Sequence, residues 1–214
     1  LLKPFINLTK KYLSWWDKTA VLRADKIFTL SQISAQKIKK TYGLLSEVIY
    51  PPIRFFTKPK NANISQTLQN FPPFLLSVSR LVNYKKIDLA IQIAINRHQP
   101  LMIIGEGVNK NSLVKLHPKL TYVRSGQTSL DEALTASRDK LLIFLGQCSD
   151  GEYLTLTQQA QAVLVLGDED FGLVPLEALS IGTPVVISLK SGAAELVTHQ
   201  SGVAVFDPHN PTAI

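Results

Sequence analysis

One stretch near the C-terminal end, residues 162–179, has the pattern of a strand, a loop and a helix. Residues 162–166 are continuously apolar, which is typical of a strand buried on both faces of a parallel sheet. Pro175 suits the first turn of a helix, where its missing N–H costs nothing, and Gly182 is expected to end that helix. The stretch therefore predicts an α/β fold in which Glu169 lies at the carboxyl end of a strand.

Two carboxylates bracket the start of this predicted helix, Glu169 in the loop and Glu177 in the first turns. Between them, the backbone N–H groups of about residues 172–174 are expected at a helix N-terminus, where an anion such as phosphate binds. Carboxylates accept hydrogen bonds from hydroxyls. The pattern therefore indicates a ligand with hydroxyl groups on either side of a phosphate, which is the layout of a nucleotide sugar.

Strand-like and helix-like segments alternate from Phe74 onward. Alternation of this kind predicts right-handed βαβ units and a parallel sheet that binds ligands at the carboxyl ends of its strands. The predicted strands are 74–79, 101–104, 141–145, 162–166, 184–188 and 203–206. The predicted helices are about 86–97, 109–116, 150–161, 174–181 and 192–198. Upstream, one helix is predicted at 11–24 and another, capped by Ser31 and ended by Gly43, runs through Tyr42. Strands are predicted at 24–31 and 47–50, and an exposed loop at 57–70.

Basic and glycine residues follow the first two strands of this alternation. Arg80 follows the first strand and Lys85 lies at the start of the next helix, so both could neutralise a diphosphate. Gly105 and Gly107 follow the second strand and predict a turn near the nucleotide. The third glycine of a dinucleotide-binding loop is absent, which argues against NAD.

Two motifs resemble those of a known family. Glu169 and Glu177, with Phe171-Gly172 between them and Gly182-Thr183-Pro184 after them, are similar to the signature of the retaining family 4 glycosyltransferases. The block 79–88 resembles the first strand, loop and helix of that family's donor domain. The resemblance covers about residues 20–206 and is nearest to the bacterial mannosyltransferase-like branch that builds surface polysaccharides.

The resemblance implies the GT-B fold, an α/β architecture of two facing Rossmann-like domains. Residues 1–50 would be the C-terminal remnant of the acceptor domain, which is truncated. Residues 51–72 would be the linker, since the pair Pro51-Pro52 fixes an extended course. Residues 73–214 would be most of the nucleotide-sugar domain. Because the chain begins at Leu1 without methionine, we expect an internal fragment of a longer protein.

For the site, the resemblance implies that two cations bind the donor diphosphate and that Glu169 and Glu177 hold hydroxyls of the sugar and the ribose. Residues 171–174 would meet the donor mostly through their backbone. The predicted catalytic residues are Arg80, Lys85 and Glu169, and the predicted donor-binding residues are Phe171, Gly172, Leu173, Val174, Glu177 and Gly105.

The resemblance also implies a reaction: transfer of a hexose from a GDP- or UDP-linked sugar to a saccharide or lipid-linked acceptor, with no metal and no other cofactor. Mannose from GDP-mannose is the favoured donor. The segment Asp168-Glu169-Asp170 leaves open a different glycosyltransferase fold that holds Mn²⁺ on the diphosphate. A non-catalytic module that only binds a nucleotide sugar also stays open.

Charge is uneven along the chain. Residues 1–60 carry twelve Lys/Arg against three Asp/Glu, whereas the rest carries eleven against thirteen. This basic segment also holds Trp15 and Trp16, so it either lies on an anionic membrane surface or packs against a missing domain. No nucleic-acid motif accompanies the charge. The single cysteine, Cys148, fits a reducing compartment, which predicts a cytoplasmic location with peripheral contact at the inner membrane face left open.

Two places depart from the family pattern. Residues 117–140 replace what is usually a short connection, and either a lid, a partner surface or a neutral surface excursion would account for them. Ser129 and Glu132 within that segment resemble a capping box. Ser191-Gly192 stands where the family usually has paired glycines, so close approach of the backbone at that turn is an open question.

Overall fold

The computed structural model describes residues 2–54, 66–117, 120–122, 129–197 and 203–206. The chain divides into two compact units, Leu1–Pro51 and Pro52–Ile214. The assignment of residues 1–50, 51–72 and 73–214 to an acceptor-domain remnant, a linker and a donor domain stays a prediction. No helix in the described ranges is long and apolar enough to cross a membrane.

The first unit contains two helices and a two-stranded parallel sheet. Ser31 caps the second helix by accepting a hydrogen bond from the Ser34 N–H at 3.0 Å, and Gly43 ends it with φ +75°. The predicted helix through Tyr42, with its cap at Ser31 and its end at Gly43, is therefore confirmed. The strands are shorter than predicted, and the first helix begins well before residue 11. The elements are α1 (Leu2–Leu22), β1 (Phe28–Thr29), α2 (Gln32–Tyr42) and β2 (Glu47–Val48).

The second unit is built on a seven-stranded, all-parallel sheet with the order β5-β6-β4-β3-β7-β8-β9. Its strands are β3 (Leu75–Val78), β4 (Leu101–Ile104), β5 (Leu120–Tyr122), β6 (Leu142–Gly146), β7 (Ala162–Val165), β8 (Val185–Ser188) and β9 (Val203–Phe206). Its helices are α3 (Gln66–Gln69), α4 (Ile87–Arg97), α5 (Lys110–Leu116), α6 (Leu130–Ala136), α7 (Asp150–Gln159) and α8 (Val174–Ser180). The predicted α/β fold with a parallel sheet is confirmed.

The order of the strands reverses at β3. The chain runs outward from β3 through β4 to β5 and β6, then crosses back to β7 and continues outward on the other side through β8 and β9. The crevice above the carboxyl ends of β3 and β7 is thus a topological switch point, where open α/β sheets bind their ligands.

The core lies on both faces of this sheet. Leu101 and Ile103 of β4 pack into one hydrophobic cluster, and their neighbours Met102 and Ile104 pack into the other. Successive strand residues point to opposite faces, so a strand covered on both faces is mostly apolar along its whole length. This explains why the strands are continuous apolar runs in the sequence.

The segment 117–140 corrects a prediction. It is neither a lid nor a surface excursion within the described part, because Leu120–Tyr122 forms β5 and pairs with β6. Ala133 and Leu134 of α6 are completely buried in the core. The capping box at the start of α6 is confirmed: the Ser129 N–H donates to Glu132 Oε2 at 3.0 Å, and the Glu132 N–H donates to Ser129 Oγ at 3.3 Å. The segment therefore extends the sheet by one strand.

Three local predictions were wrong in detail. Residues Gln66–Gln69 form a short helix inside the predicted loop 57–70, of which residues 57–65 lie outside the described part. The predicted helix 192–198 is a 3₁₀ turn over Gly192–Leu196. Lys85 does not start α4; it ends a 3₁₀ turn over Asn83–Lys85, and α4 follows at Ile87. Both 3₁₀ turns lie at carboxyl ends of strands, next to the candidate site.

Candidate functional site

The predicted site residues come together at the carboxyl edge of the sheet. Arg80 follows β3, Gly105 follows β4 and Glu169 follows β7. The 3₁₀ turn Asn83–Lys85 continues from Arg80 and brings Lys85 towards the loop after β7. These loops surround the switch point between β3 and β7.

An ion pair joins the two sides of this switch point. Lys85 Nζ lies 2.7 Å from Glu169 Oε1, and the two side chains are only 14% and 15% exposed. Charges shielded from water in this way interact strongly, and a lysine ammonium has further donors beyond the one used here. The pair therefore places a cation and a carboxylate side by side in the crevice, where either can contact a bound ligand.

Arg80 and Lys85 also share a tyrosine that the sequence analysis did not identify. Arg80 Nη2 donates to the Tyr84 hydroxyl at 2.9 Å, and Lys85 Nζ lies 5.4 Å from the centroid of the Tyr84 ring. The arginine is exposed, and its planar fork is the donor arrangement that suits phosphate oxygens. The two predicted cations thus belong to one local cluster.

Close backbone packing sets the position of the Glu169 loop against the Lys85 turn. A Cβ atom on Gly167 would lie 2.7 Å from Lys85 Cα and 2.7 Å from the Tyr84 carbonyl oxygen. The Asp168 N–H donates to that same carbonyl at 3.1 Å. Because both contacts involve backbone atoms, the separation of Glu169 and Lys85 does not depend on side-chain flexibility alone.

The other side of the loop is held by the turn after β8. The Gly192 N–H donates to the Glu169 carbonyl at 3.0 Å, and the Ala193 N–H donates to the Phe171 carbonyl at 2.7 Å. Ser191 is fully buried, and its hydroxyl donates to the same Phe171 carbonyl at 2.9 Å. The serine that replaces a family glycine therefore points into the protein and leaves the close backbone approach intact.

The four residues 171–174 have different surroundings. The Phe171 side chain is 4% exposed and packs in the core, so this residue anchors the loop. Gly172 has φ +91°, and a Cβ atom there would lie 3.0 Å from Glu169 Oε2. Leu173 is exposed, and Val174 begins α8. Contacts of these four residues with a donor stay predictions.

The neighbouring aspartates differ from Glu169. Asp168 and Asp170 are exposed, whereas the Glu169 carboxylate turns inward to Lys85. Within the described ranges, no group of three or more His, Cys, Asp or Glu residues is arranged to hold a metal ion.

Glu177 is held by a second tyrosine that sequence reasoning missed. The Tyr153 hydroxyl, in the first turn of α7, donates to Glu177 Oε2 at 2.7 Å. Burial raises the pKa of Tyr153 above its ordinary value, and the hydrogen bond to Glu177 raises it further. Tyr153 therefore stays protonated and remains a donor at any ordinary pH.

Gly105 is required by packing. It has φ +136°, and a Cβ atom would lie 1.9 Å from the Ser79 carbonyl oxygen. Its N–H donates to the Gly146 carbonyl at 2.8 Å. The loops after β3, β4 and β6 are therefore in direct backbone contact, and a role of Gly105 near the nucleotide stays a prediction.

Comparison with known proteins decides the family. The sequence model of the family described as glycosyl transferases group 1 matches residues 60–214. The chain belongs to this family. An uncharacterized glycosyltransferase of Methanocaldococcus jannaschii is 26% identical over 215 residues, covering 95% of the chain and 51% of that protein. Human alpha-1,3/1,6-mannosyltransferase ALG2 is 25% identical over 213 residues, covering 90% of the chain and 49% of the enzyme. The chain thus spans about half the length of these curated relatives.

Solved glycosyltransferase structures share the fold. HepE of Anabaena in complex with UDP superimposes with a TM-score of 0.66 at 21% identity, covering 89% of this chain and 52% of HepE. A glycosyltransferase of Rickettsia africae superimposes with a TM-score of 0.63 at 16% identity, covering 94% of this chain and 54% of that protein. The GT-B-type fold that the resemblance to family 4 glycosyltransferases implied is therefore confirmed.

Proposed function

We propose that this chain provides the donor site of a retaining glycosyltransferase, which moves a hexose from a nucleotide sugar to a saccharide or lipid-linked acceptor. The observation that carries the proposal is the Lys85–Glu169 ion pair beside Arg80, at the switch point of a group 1 glycosyltransferase sheet. Cations for a diphosphate and a carboxylate for sugar hydroxyls lie together there.

In this proposal the cations act on the leaving group. When the bond between the anomeric carbon and the diphosphate breaks, negative charge grows on the diphosphate oxygens. Arg80 supplies a planar fork of donors and Lys85 a point charge, so both stabilise that charge more in the transition state than in the bound donor. Glu169 would hold hydroxyls of the sugar, and Glu177 those of the ribose.

The proposed donor is GDP-mannose, with UDP-hexoses as the alternative. The name of the human relative, alpha-1,3/1,6-mannosyltransferase, supports mannose. The HepE structures contain UDP, UDP with glucose, or UDP-glucose, which supports the alternative. We propose that no metal or other cofactor is needed, since Arg80 and Lys85 can carry the charge of the diphosphate. Full activity in excess EDTA is the expected result, and loss of activity restored by Mn²⁺ would contradict it.

Thermal unfolding with a panel of GDP- and UDP-sugars tests the proposal. A ligand at a hundredfold excess over Kd stabilises the folded chain by about 2.7 kcal/mol, or roughly 5–10 °C for a chain of this size. We expect a shift with one nucleotide class that is lost in Glu177→Ala and kept in the control Glu47→Ala, whose carboxylate lies in the first unit. No shift with any sugar nucleotide would overturn the proposal.

Turnover separates an enzyme from a module that only binds. We expect Arg80→Ala to lower the rate of sugar transfer by roughly 10²–10³, by analogy with the loss of one transition-state donor. The matched control is Lys86→Ala, because Lys86 is an exposed cation next in sequence to Lys85. Near-full turnover by Arg80→Ala would contradict the catalytic role, and binding without any turnover would favour the non-catalytic module.

A second proposed property is contact with an anionic membrane. Tyr12, Trp15 and Trp16 of α1 are 58–62% exposed, and Lys10, Lys11 and Lys18 are exposed on the same helix. Aromatic side chains beside lysines are typical of helices that lie at a membrane surface. We expect the chain to sediment with vesicles that contain phosphatidylserine but not with pure phosphatidylcholine. Charge reversal of Lys3, Lys10 and Lys11 should abolish this, and unchanged sedimentation would remove the proposal.

A further inference from the structure

The hydrogen bond between Tyr153 and Glu177 links two helices that follow different strands. Tyr153 lies in α7, after β6, and Glu177 lies in α8, after β7. Only one carboxylate oxygen, Oε2, accepts from the tyrosine, at 2.7 Å. In the described part of the chain, no hydrogen-bond partner of Glu177 Oε1 is present. One oxygen is thus fixed by the protein while the other can accept from a ligand.

Both ends of this link are held firmly. The hydroxyl of Thr157, buried in α7, donates to the Tyr153 carbonyl at 2.7 Å. The buried Thr183 hydroxyl in turn donates to the Thr157 carbonyl at 2.8 Å, and the Thr183 N–H donates to the Ala178 carbonyl at 3.0 Å. A chain of hydrogen bonds therefore connects the backbone of α7 to that of α8, in addition to the Tyr153–Glu177 contact.

The start of α7 is fixed in the same way. The Ser149 N–H donates to Glu152 Oε2 at 2.8 Å, and the Glu152 N–H donates to Ser149 Oγ at 3.3 Å, which forms a capping box one residue before Tyr153. The Tyr153 ring packs against the hydrophobic core. The hydroxyl is therefore presented to Glu177 by a rigid ring on a capped helix.

We propose that Tyr153 is a positioning residue: it holds the Glu177 carboxylate so that Oε1 receives a ribose hydroxyl, and it thereby sets the preference of the site for ribonucleotides over deoxyribonucleotides. This inference rests on the proposed function, in which Glu177 binds the ribose. A flexible glutamate loses side-chain freedom when it binds a ligand. A carboxylate already held in one orientation loses less, so the preference for the hydroxyl is stronger.

Binding of four nucleotides tests the proposal: GDP, UDP and their 2′-deoxy counterparts, measured by calorimetry with wild type and Tyr153→Phe. A hydrogen bond to a charged group predicts that wild type prefers the ribonucleotide about 10–100-fold. Tyr153→Phe keeps the ring in the core and removes only the hydroxyl. We expect this variant to bind the ribonucleotide roughly 3–10-fold more weakly than wild type does, and to bind the 2′-deoxynucleotide with an affinity within about twofold of wild type.

Two controls distinguish positioning from a general structural effect. Tyr42→Phe removes a tyrosine–carboxylate hydrogen bond of the same 2.7 Å length, to Asp17 in the first unit, and should leave all four affinities unchanged. In the Glu177→Ala background, Tyr153→Phe should have no further effect on the ribonucleotide, because the carboxylate that it positions is gone.

The outcomes separate this inference from the proposed function. If wild type binds none of the four nucleotides, the proposed function fails and the inference fails with it. If wild type prefers ribonucleotides and Tyr153→Phe keeps the same preference, the inference alone is overturned. If Tyr153→Phe weakens the binding of ribonucleotides and of 2′-deoxynucleotides equally, the effect is one of general packing, and the inference is likewise overturned.

Discussion

Gly105 offers a sharp test of how the site is built, because the structure requires a glycine there for packing. A Cβ atom would lie 1.9 Å from the Ser79 carbonyl oxygen and 2.9 Å from its carbonyl carbon. Both atoms belong to the backbone of the loop that leads to Arg80, so no side chain can rotate out of the way. Gly105→Ala must therefore move one of the two loops that form the carboxyl edge of the sheet.

Two costs add up in this variant. A residue with a Cβ atom at φ +136° is strained by roughly 1–2 kcal/mol, as in other left-handed conformations. Overpacking against a fixed neighbour costs about 1–3 kcal/mol more. We therefore expect Gly105→Ala to lower the free energy of unfolding by about 2–5 kcal/mol. Gly151→Ala is the matched control in the same unit, because a Cβ atom there meets nothing within 4 Å and α7 gains a better helix former.

Urea unfolding and thermal unfolding measure the effect. At roughly 2–4 °C per kcal/mol for a chain of this size, the Tm of Gly105→Ala should fall by about 5–20 °C, whereas that of Gly151→Ala should stay equal or rise slightly. A Gly105→Ala chain that unfolds at the wild-type urea concentration would refute the packing argument. If such a chain also lost nucleotide binding, the glycine would serve the ligand and not the fold.

Three further predictions concern the side chains around the site. Lys85→Met leaves the Glu169 carboxylate shielded from water without its cation, so the free energy of unfolding in urea should fall by about 1–3 kcal/mol. The double variant Lys85→Met/Glu169→Gln should regain most of that stability. An equal loss in the single and the double variant would contradict this. Above pH 10 the unfolded chain releases the Tyr153 proton while the folded chain keeps it. The free energy of unfolding should therefore fall with pH by about 1.4 kcal/mol per pH unit more in wild type than in Tyr153→Phe. The same pH dependence in both proteins, measured by urea unfolding between about pH 9 and 11, would contradict this. Ser191→Ala removes one of the hydrogen-bond donors to the Phe171 carbonyl and should lower the free energy of unfolding by about 1–2 kcal/mol. An unchanged urea midpoint would show that the Ala193 N–H alone satisfies this carbonyl.

The sheet could be predicted well because its strands are buried on both faces. The bounds of β4 and β9 agree with the predicted 101–104 and 203–206, and the other predicted strands of the second unit agree within one or two residues. Continuous apolar runs between turn residues leave few other ways to satisfy the backbone. In contrast, β1 and β2 have two residues each, so their ends depend on pairing with each other and not on an apolar pattern.

The segment 117–140 could not be predicted because its strand is only three residues long and is defined by its pairing with β6. Leu120–Tyr122 carries no pattern that distinguishes a sheet strand from a surface loop. The capping box at Ser129 was readable, since it is local in sequence. Long-range pairing is not local, and only the structure shows that α6 buries Ala133 and Leu134.

For the site, the sequence predicts which side chains reach one edge but not how they pair. Arg80, Lys85 and Glu169 follow parallel strands, so their approach was expected, whereas the 2.7 Å ion pair depends on the 3₁₀ turn that replaces a helix start. The link from Tyr153 to Glu177 spans 24 positions and depends on the rotation of α7 about its axis. No spacing rule encodes that rotation.

The added strand β5 also changes which strand lies at this edge of the sheet. Without it, the edge would be β6, five fully buried residues from Leu142 to Gly146 whose free N–H and C=O groups would be a template for pairing with another molecule. With it, the edge in the described part is a strand of three residues, which is too short to serve as such a template. The extra segment thus gives this edge few unpaired backbone groups to offer to another chain.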